Sequence, residues 1–214
     1  MMKLVDLSHV LDERTPVFPG DEGTVLSQCR HLEEDKYTAY FLQTSLHTGT
    51  HVDMPLHMIE DSRMAADFVV GCFAGRGVLL DVRGEMRIEM KPAYRAMIRE
   101  GDIVLLYTGF DQQYGEPRYF EAHPEVGEAL GAFLLSRKIR MLGMDMPSPD
   151  RLPFAFHRAL LAAGVFVLEN LTNLGDLVGV DAFEVLALPL RIRAEASLVR
   201  AVARIAGNDE GLST

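Results

Sequence analysis

Three of the seven histidines, His47, His51 and His57, fall within eleven residues, and Asp53 stands among them. Imidazole nitrogens and carboxylate oxygens are donors that hold zinc, manganese or iron. Histidine also exchanges protons near neutral pH. The segment Leu46-His47-Thr48-Gly49-Thr50-His51-Val52-Asp53-Met54-Pro55-Leu56-His57 therefore reads as a place to hold a divalent cation. A helix would put His47 and His51 on one face, but Gly49, two threonines, Val52 and Pro55 disfavour a helix. In an extended backbone His51 and Asp53, two apart, point to the same side. Gly49 can supply a turn that brings His47 back toward them.

Alternating strand-like and helix-like segments must position these groups. Residues 3–9 read as a strand, followed by a loop containing Pro16, Pro19 and Gly20. Residues 24–31 and 37–46 read as two strands, paired across the acidic turn Glu33-Glu34-Asp35. The apolar runs 77–82 and 102–107 predict strands buried on both faces, with a helix from Lys91 to Arg99 between them. A helix is expected over 124–137 with Pro124 at its start, then a strand from Ile139 to Gly143. A helix from Phe154 to Ala163 and a strand from Val165 to Leu168 follow, with final strands over 185–193 and 197–205. This order predicts an α/β fold with a mixed β-sheet and flanking helices. The length of 214 residues predicts a single domain spanning 1–214.

Composition narrows the function classes. Lys and Arg number 21 against 31 Asp and Glu, a net charge of −10 that repels phosphate backbones. Neither a nucleic-acid partner nor a membrane partner is expected. No run approaches the roughly 18 apolar residues of a membrane span, and Asp6 and His9 interrupt any signal-peptide core. A soluble, cytoplasmic protein is the expectation. Cys29 and Cys72 form no CxxC pair and read as small buried apolar side chains.

The histidine segment matches the pattern HxGTHxDxPxH at all seven fixed positions: His47, Gly49, Thr50, His51, Asp53, Pro55 and His57. With it the chain resembles the cyclase family of metal-dependent hydrolases, which includes bacterial kynurenine formamidases and isatin hydrolases. The likeness extends through Asp6-Leu7-Ser8-His9, Thr15 to Asp21, Thr108-Gly109-Phe110, Gly143 to Ser148, and His157 followed twelve residues later by Glu169. The resemblance implies that His47, His51 and Asp53 ligate one divalent metal. Where a second ion is bound, it implies that Asp53, His157 and Glu169 hold it, with Asp53 bridging. It implies His57 as proton donor and acceptor, zinc as the first expectation for the metal and manganese as the alternative. It also implies a swivelling β/β/α fold, a small-molecule substrate and a homodimer or higher homo-oligomer.

The residue chemistry agrees. Glu169 ends the apolar run Val165 to Leu168, where a carboxylate is costly unless paired or metal-bound. Amide hydrolysis needs an activated water and a proton for the leaving amine, which a divalent metal and a histidine supply. The expected reaction is hydrolysis of an amide-type C–N bond in an aryl formamide such as N-formylkynurenine, a lactam or a cyclic imide. A metal-dependent cyclisation or dehydration is the alternative reaction. A non-catalytic metal- or small-molecule-binding protein is the alternative class, against which His57 argues. One departure bears on the substrate: Phe18 stands where the bacterial formamidases carry a stacking tryptophan, and this chain has no tryptophan. Phe18 can still stack on an aromatic ring, with less area.

Other residues read as structural. His9 is expected to pack, and His31 and His123 to lie on the surface. Asp145 and Ser148 either line the cleft or shape the turn at Pro147 and Pro149. Arg191 and Arg193 read as a solvated strand face, and Gly207 to Thr214 as a frayed tail.

Overall fold

The structure, a computed structural model, describes residues 2–206. Strand β1 (Lys3–Asp6) is followed by a ribbon of β2 (Val25–Arg30) and β3 (Ala39–Gln43), joined through the one-turn helix α1 (Leu32–Asp35). Strand β4 (His51–Asp53) comes next, then β5 (Ala74–Asp81). Strand β6 (Arg87–Ile88) and helix α2 (Tyr94–Met97) lead into β7 (Ile103–Tyr107). Helix α3 (Arg118–Glu121), β8 (Glu125–Val126) and α4 (Glu128–Ser136) precede β9 (Met141–Met144). Helix α5 (Ala155–Ala162) links β9 to β10 (Phe166–Glu169), and β11 (Phe183–Pro189) and β12 (Ala196–Ile205) complete the order.

The large sheet is mixed and closes on itself. Its order is β1-β12-β11-β5-β7-β9-β10-β4, with β4 also paired to β12. β5, β7, β9 and β10 run parallel, and the other pairings are antiparallel. Closure pairs both edges of every strand in this sheet except β1, which pairs with β12 alone. The ten-residue β12 makes it possible. One of its sides follows β11, while the other is shared between β4 and β1.

Alternation along the strands sorts side chains into two cores. Val52, Ile103, Leu105, Phe166, Leu168 and Val185 fill the inside of the closed sheet. Val104, Leu106, Leu142 and Val167 point outward and pack under Leu130 and Leu134 of α4 and Leu160 and Leu161 of α5. The interior is tight: a Cβ on Gly143 would stand 2.5 Å from a Leu105 methyl. The same period-two rule carries Glu169 to the helix-facing side with Val167, and His51 and Asp53 to the side opposite Val52.

The mixed α/β sheet with flanking helices stands as expected, and several boundaries move. The first strand is shorter than 3–9, and the paired strands are shorter than 24–31 and 37–46. The helix expected from Lys91 to Arg99 is a single turn, because Ile98 is already extended and Gly101 adopts φ 79°. The helix expected to start at Pro124 starts at Glu128; residues 125–126 pair with β6 instead, and the Val126 amide bonds to Pro149 O. Arg191 and Arg193 are exposed, but in the β11–β12 loop rather than on a strand. Cys29 is exposed and Cys72 half-buried, against the expectation that both are buried. Cys29 lies on the β2–β3 ribbon, whose residues have little of the body behind them. His123 is buried, not on the surface, where its Nδ1 meets Pro124 O and its own carbonyl accepts from Arg151. His31 is exposed, as expected. The tail from Gly207 to Thr214 lies outside the described residues. No helix among the described residues is long and apolar enough to cross a membrane.

Candidate metal centre and its cavity

The six polar residues singled out by the sequence converge. Strand β4 presents His51 and Asp53 side by side, and β10 lays Glu169 directly across from His51 in antiparallel register. The first turn of α5 brings His157 over the same spot. Before β4 the chain turns through Gly49 at φ 62°, a left-handed conformation that glycine adopts without steric cost, and this folds His47 back over the strand. After β4, Pro55 opens a short 3₁₀ turn that ends on His57.

Asp53 is fully buried at the centre. Its Oδ1 lies 2.9 Å from His47 Nδ1 and 3.5 Å from His51 Nε2, and its Oδ2 lies 3.2 Å from His157 Nε2. Glu169 approaches His51 Nε2 at 3.4 Å and His157 Nδ1 at 3.7 Å. Two sets of donor atoms, His47–Asp53–His57 and His51–Asp53–Glu169, each fall within 4.8 Å of one another. His57 is thus close enough to belong to a donor set as well as to move protons. Its ring centroid is 4.1 Å from that of His47 and 5.5 Å from that of His157.

The cluster's chemistry fits a divalent cation. Both Asp53 oxygens, His51 Nε2, both His157 nitrogens and Glu169 Oε1 are sealed from solvent and lack a hydrogen-bond partner. Leaving so many buried polar atoms unmatched is costly. His51 Nδ1 donates to Gly49 O at 2.8 Å, which leaves a lone pair on Nε2 facing two carboxylates. His47 repeats the arrangement in reverse: Nδ1 faces Asp53, and Nε2 lies 3.4 Å from Glu195 Oε1. A ring with one nitrogen on an outer acceptor and the other facing inward is the usual posture of a ligand histidine.

The electrostatics point the same way. Burial opposes charge on His47, but Asp53, Glu169 and Glu195 outweigh it and raise the ring to about 9. Burial likewise opposes the Asp53 charge, yet His51, His157 and His47 hold that carboxyl well below its usual range. Burial pushes Glu169 up. Burial also pushes the His57 ring down to about 4. The centre gathers negative charge and requires a positive counterpart, either protons on the histidines or a cation.

Above it opens a cavity of about 360 Å³. His47, His51, His57, His157 and Glu169 form its polar side; Phe18, Met58, Phe120, Pro147 and Phe154 form its apolar side. Phe18 meets Phe120 edge to face at 5.7 Å. Ser148 also lines the cavity, and its Oγ is buried without a partner. Asp145 does not line it. It accepts from Thr108 N and Oγ1 and from Gly109 N, tying the end of β7 to the end of β9. His9 packs as expected, stacked on Tyr114 at 3.7 Å.

Sequence reading missed Glu195, Asn170, Phe120 and Phe154. Glu195 reaches His47 from the loop before β12, a juxtaposition created by β4–β12 pairing and by the Met54 amide bonding to Glu195 O. Asn170 had one available signal, its position directly after Glu169. The phenylalanines carried none.

The chain is 31% identical to the kynurenine formamidase of Bacillus cereus over 206 residues, covering 94% of this chain and 96% of that protein. It superposes on an isatin hydrolase bound to the product analogue thioisatinate with a TM-score of 0.86 at 21% identity, covering 96% of this chain and 93% of that one. For isatin hydrolase A from Labrenzia aggregata the TM-score is 0.85 at 23% identity, covering 96% and 94%. At these identities the two structures speak to the fold alone. The Cyclase family model matches residues 5–151, and with it the chain belongs to the cyclase family.

Proposed function

We propose that this chain is a metal-dependent hydrolase of an amide-type C–N bond, with an aryl formamide such as N-formylkynurenine as the first substrate to test. Lactams and cyclic imides come next. One observation carries the reading: a sealed cluster of unmatched imidazole and carboxylate donors forms the floor of a cavity whose other wall is aromatic. The formamidase relative at 31% identity supports the same chemistry.

His47, His51 and Asp53 hold the first ion, and Asp53, His157 and Glu169 hold a second where two are bound. Zinc, or alternatively manganese, suits this mixed nitrogen and oxygen set. When bound, such a cation supplies Lewis acidity, which makes water nucleophilic at neutral pH and draws electrons from a carbonyl. His57 takes the proton from the attacking water and returns it to the departing nitrogen. Phe18, Phe120 and Phe154 stack on the aryl group and exclude water from its face. Neither nucleic acid nor membrane takes part.

The test is hydrolysis of N-formylkynurenine by the purified protein with zinc, with manganese and with a chelator. Chelator-sensitive turnover above roughly 10⁴ M⁻¹s⁻¹ in kcat/KM is the expected result. No turnover by metal-loaded protein on formamides, lactams or imides would overturn the reading.

A further inference from the structure

We infer that Asn170, braced by Tyr119, is a positioning residue that orients His51 for cation binding; this rests on the proposed role of His51 as a ligand. The link between them is the Gly49 carbonyl. It accepts His51 Nδ1 at 2.8 Å and Asn170 Nδ2 at 2.9 Å. The carbonyl sits in a turn at φ 62°, with no strand ladder to hold it. Its direction sets the tilt of the imidazole, and therefore where the Nε2 lone pair points.

The Asn170 amide has only one workable orientation. Its Oδ1 accepts from Tyr119 Oη at 2.8 Å, and both side chains are buried. Rotating the amide by half a turn would set Oδ1 against Gly49 O, two acceptors facing each other, while Tyr119 would lose its acceptor. The backbone of Asn170 is held as firmly. Its carbonyl accepts from Thr50 Oγ1 at 2.6 Å, and its amide donates to Met146 O at 3.2 Å. Its φ of 55° is a conformation asparagine tolerates better than most residues. One side chain thus couples the end of β10, which presents Glu169, to the turn that presents His51.

The test uses full-length Tyr119→Phe and Asn170→Gly. The first keeps shape and deletes only the hydroxyl; the second deletes the amide and keeps a residue suited to positive φ. Zinc affinity is measured by competition with a chromophoric chelator, and the visible absorption of cobalt-loaded protein reports ligand geometry. Circular dichroism and metal-free thermal midpoints track the fold separately. Asn170→Gly is expected to weaken zinc binding by about 10- to 100-fold, as loss of an outer partner does elsewhere. Tyr119→Phe should lose less, and both should shift the cobalt bands. Wild-type affinity and wild-type cobalt bands in both variants would overturn the inference, even if their midpoints fell, because the network would then serve stability alone. A wild-type protein that binds neither metal would overturn the proposed function itself.

Discussion

Replacing Asp53 by asparagine keeps the side-chain size and removes the charge at the centre of the cluster. Asp53 is fully buried and touches three histidines, so no water can take its place. A bound cation and Asp53 would form a buried ion pair, and deleting the carboxylate's charge from such a pair costs on the order of 3–5 kcal/mol. At 1.36 kcal/mol per decade, that weakens cation binding by about 160- to 5,000-fold. The assay is the thermal shift on adding zinc, each protein compared with its own metal-free midpoint. With zinc at 1,000 times the wild-type Kd, binding stabilises the native state by about 4.1 kcal/mol. For a chain of this size that moves the midpoint by roughly 8–16 °C. In Asp53→Asn the same zinc supplies at most about 1.2 kcal/mol, a shift of no more than roughly 5 °C. Equal shifts in the two proteins would refute both the ligand role and the reasoning from burial.

His57→Ala should lose 10²- to 10⁴-fold in kcat and keep zinc affinity within about threefold, if His57 moves protons rather than holding the ion; a parallel collapse of affinity, read by chelator competition, would instead make it a ligand. Glu195→Gln should weaken zinc binding by roughly tenfold through loss of its contact with His47, and an unchanged Kd would dismiss that contact. Phe18→Ala should raise KM for an aryl formamide several-fold with kcat little changed, and Phe18→Trp should lower it; steady-state kinetics that split the other way would remove Phe18 from the substrate wall. Burial raises the Asp145 carboxyl to about 6 despite its three donors, so its charged form destabilises the fold as pH climbs from the unfolded value near 3.8 through 6. Thr108→Val deletes the hydroxyl that donates to it, which raises that pKa further. The stability lost, measured by urea unfolding of metal-free protein, should be larger at pH 8 than at pH 5, and equal losses would contradict this assignment.

Much of the centre was legible because it is local. Gly49 and Pro55 exclude a helix, and period two then aligns His51 with Asp53 whatever the rest of the chain does. His157 and Glu169 were legible through the family resemblance, and the apolar run before Glu169, where a charge needs a partner, agrees with it. Contacts made by ring closure were not. Nothing near Glu195 in sequence announces that β12 will lie against β4 and bring it to His47. Cys29 failed for the opposite reason. An alternating, strand-like segment normally implies a buried face, but both strands of the β2–β3 ribbon stand largely in solvent. Pro124 is a good helix opener by type, yet pairing of Val126 with Ile88 delays the helix to Glu128.

The way the sheet closes also dictates when the centre can exist. Strand β4 carries His51 and Asp53, and its flanks are β10 and β12. Both neighbours are synthesised long after β4 has left the ribosome. A nascent chain therefore carries its histidine segment unpaired through most of translation. The donor set is complete only when β10 brings Glu169 across from His51, and β12 then closes the other flank of β4. Under the proposed function, tight binding of the ion would then follow closure of the sheet rather than nucleate it.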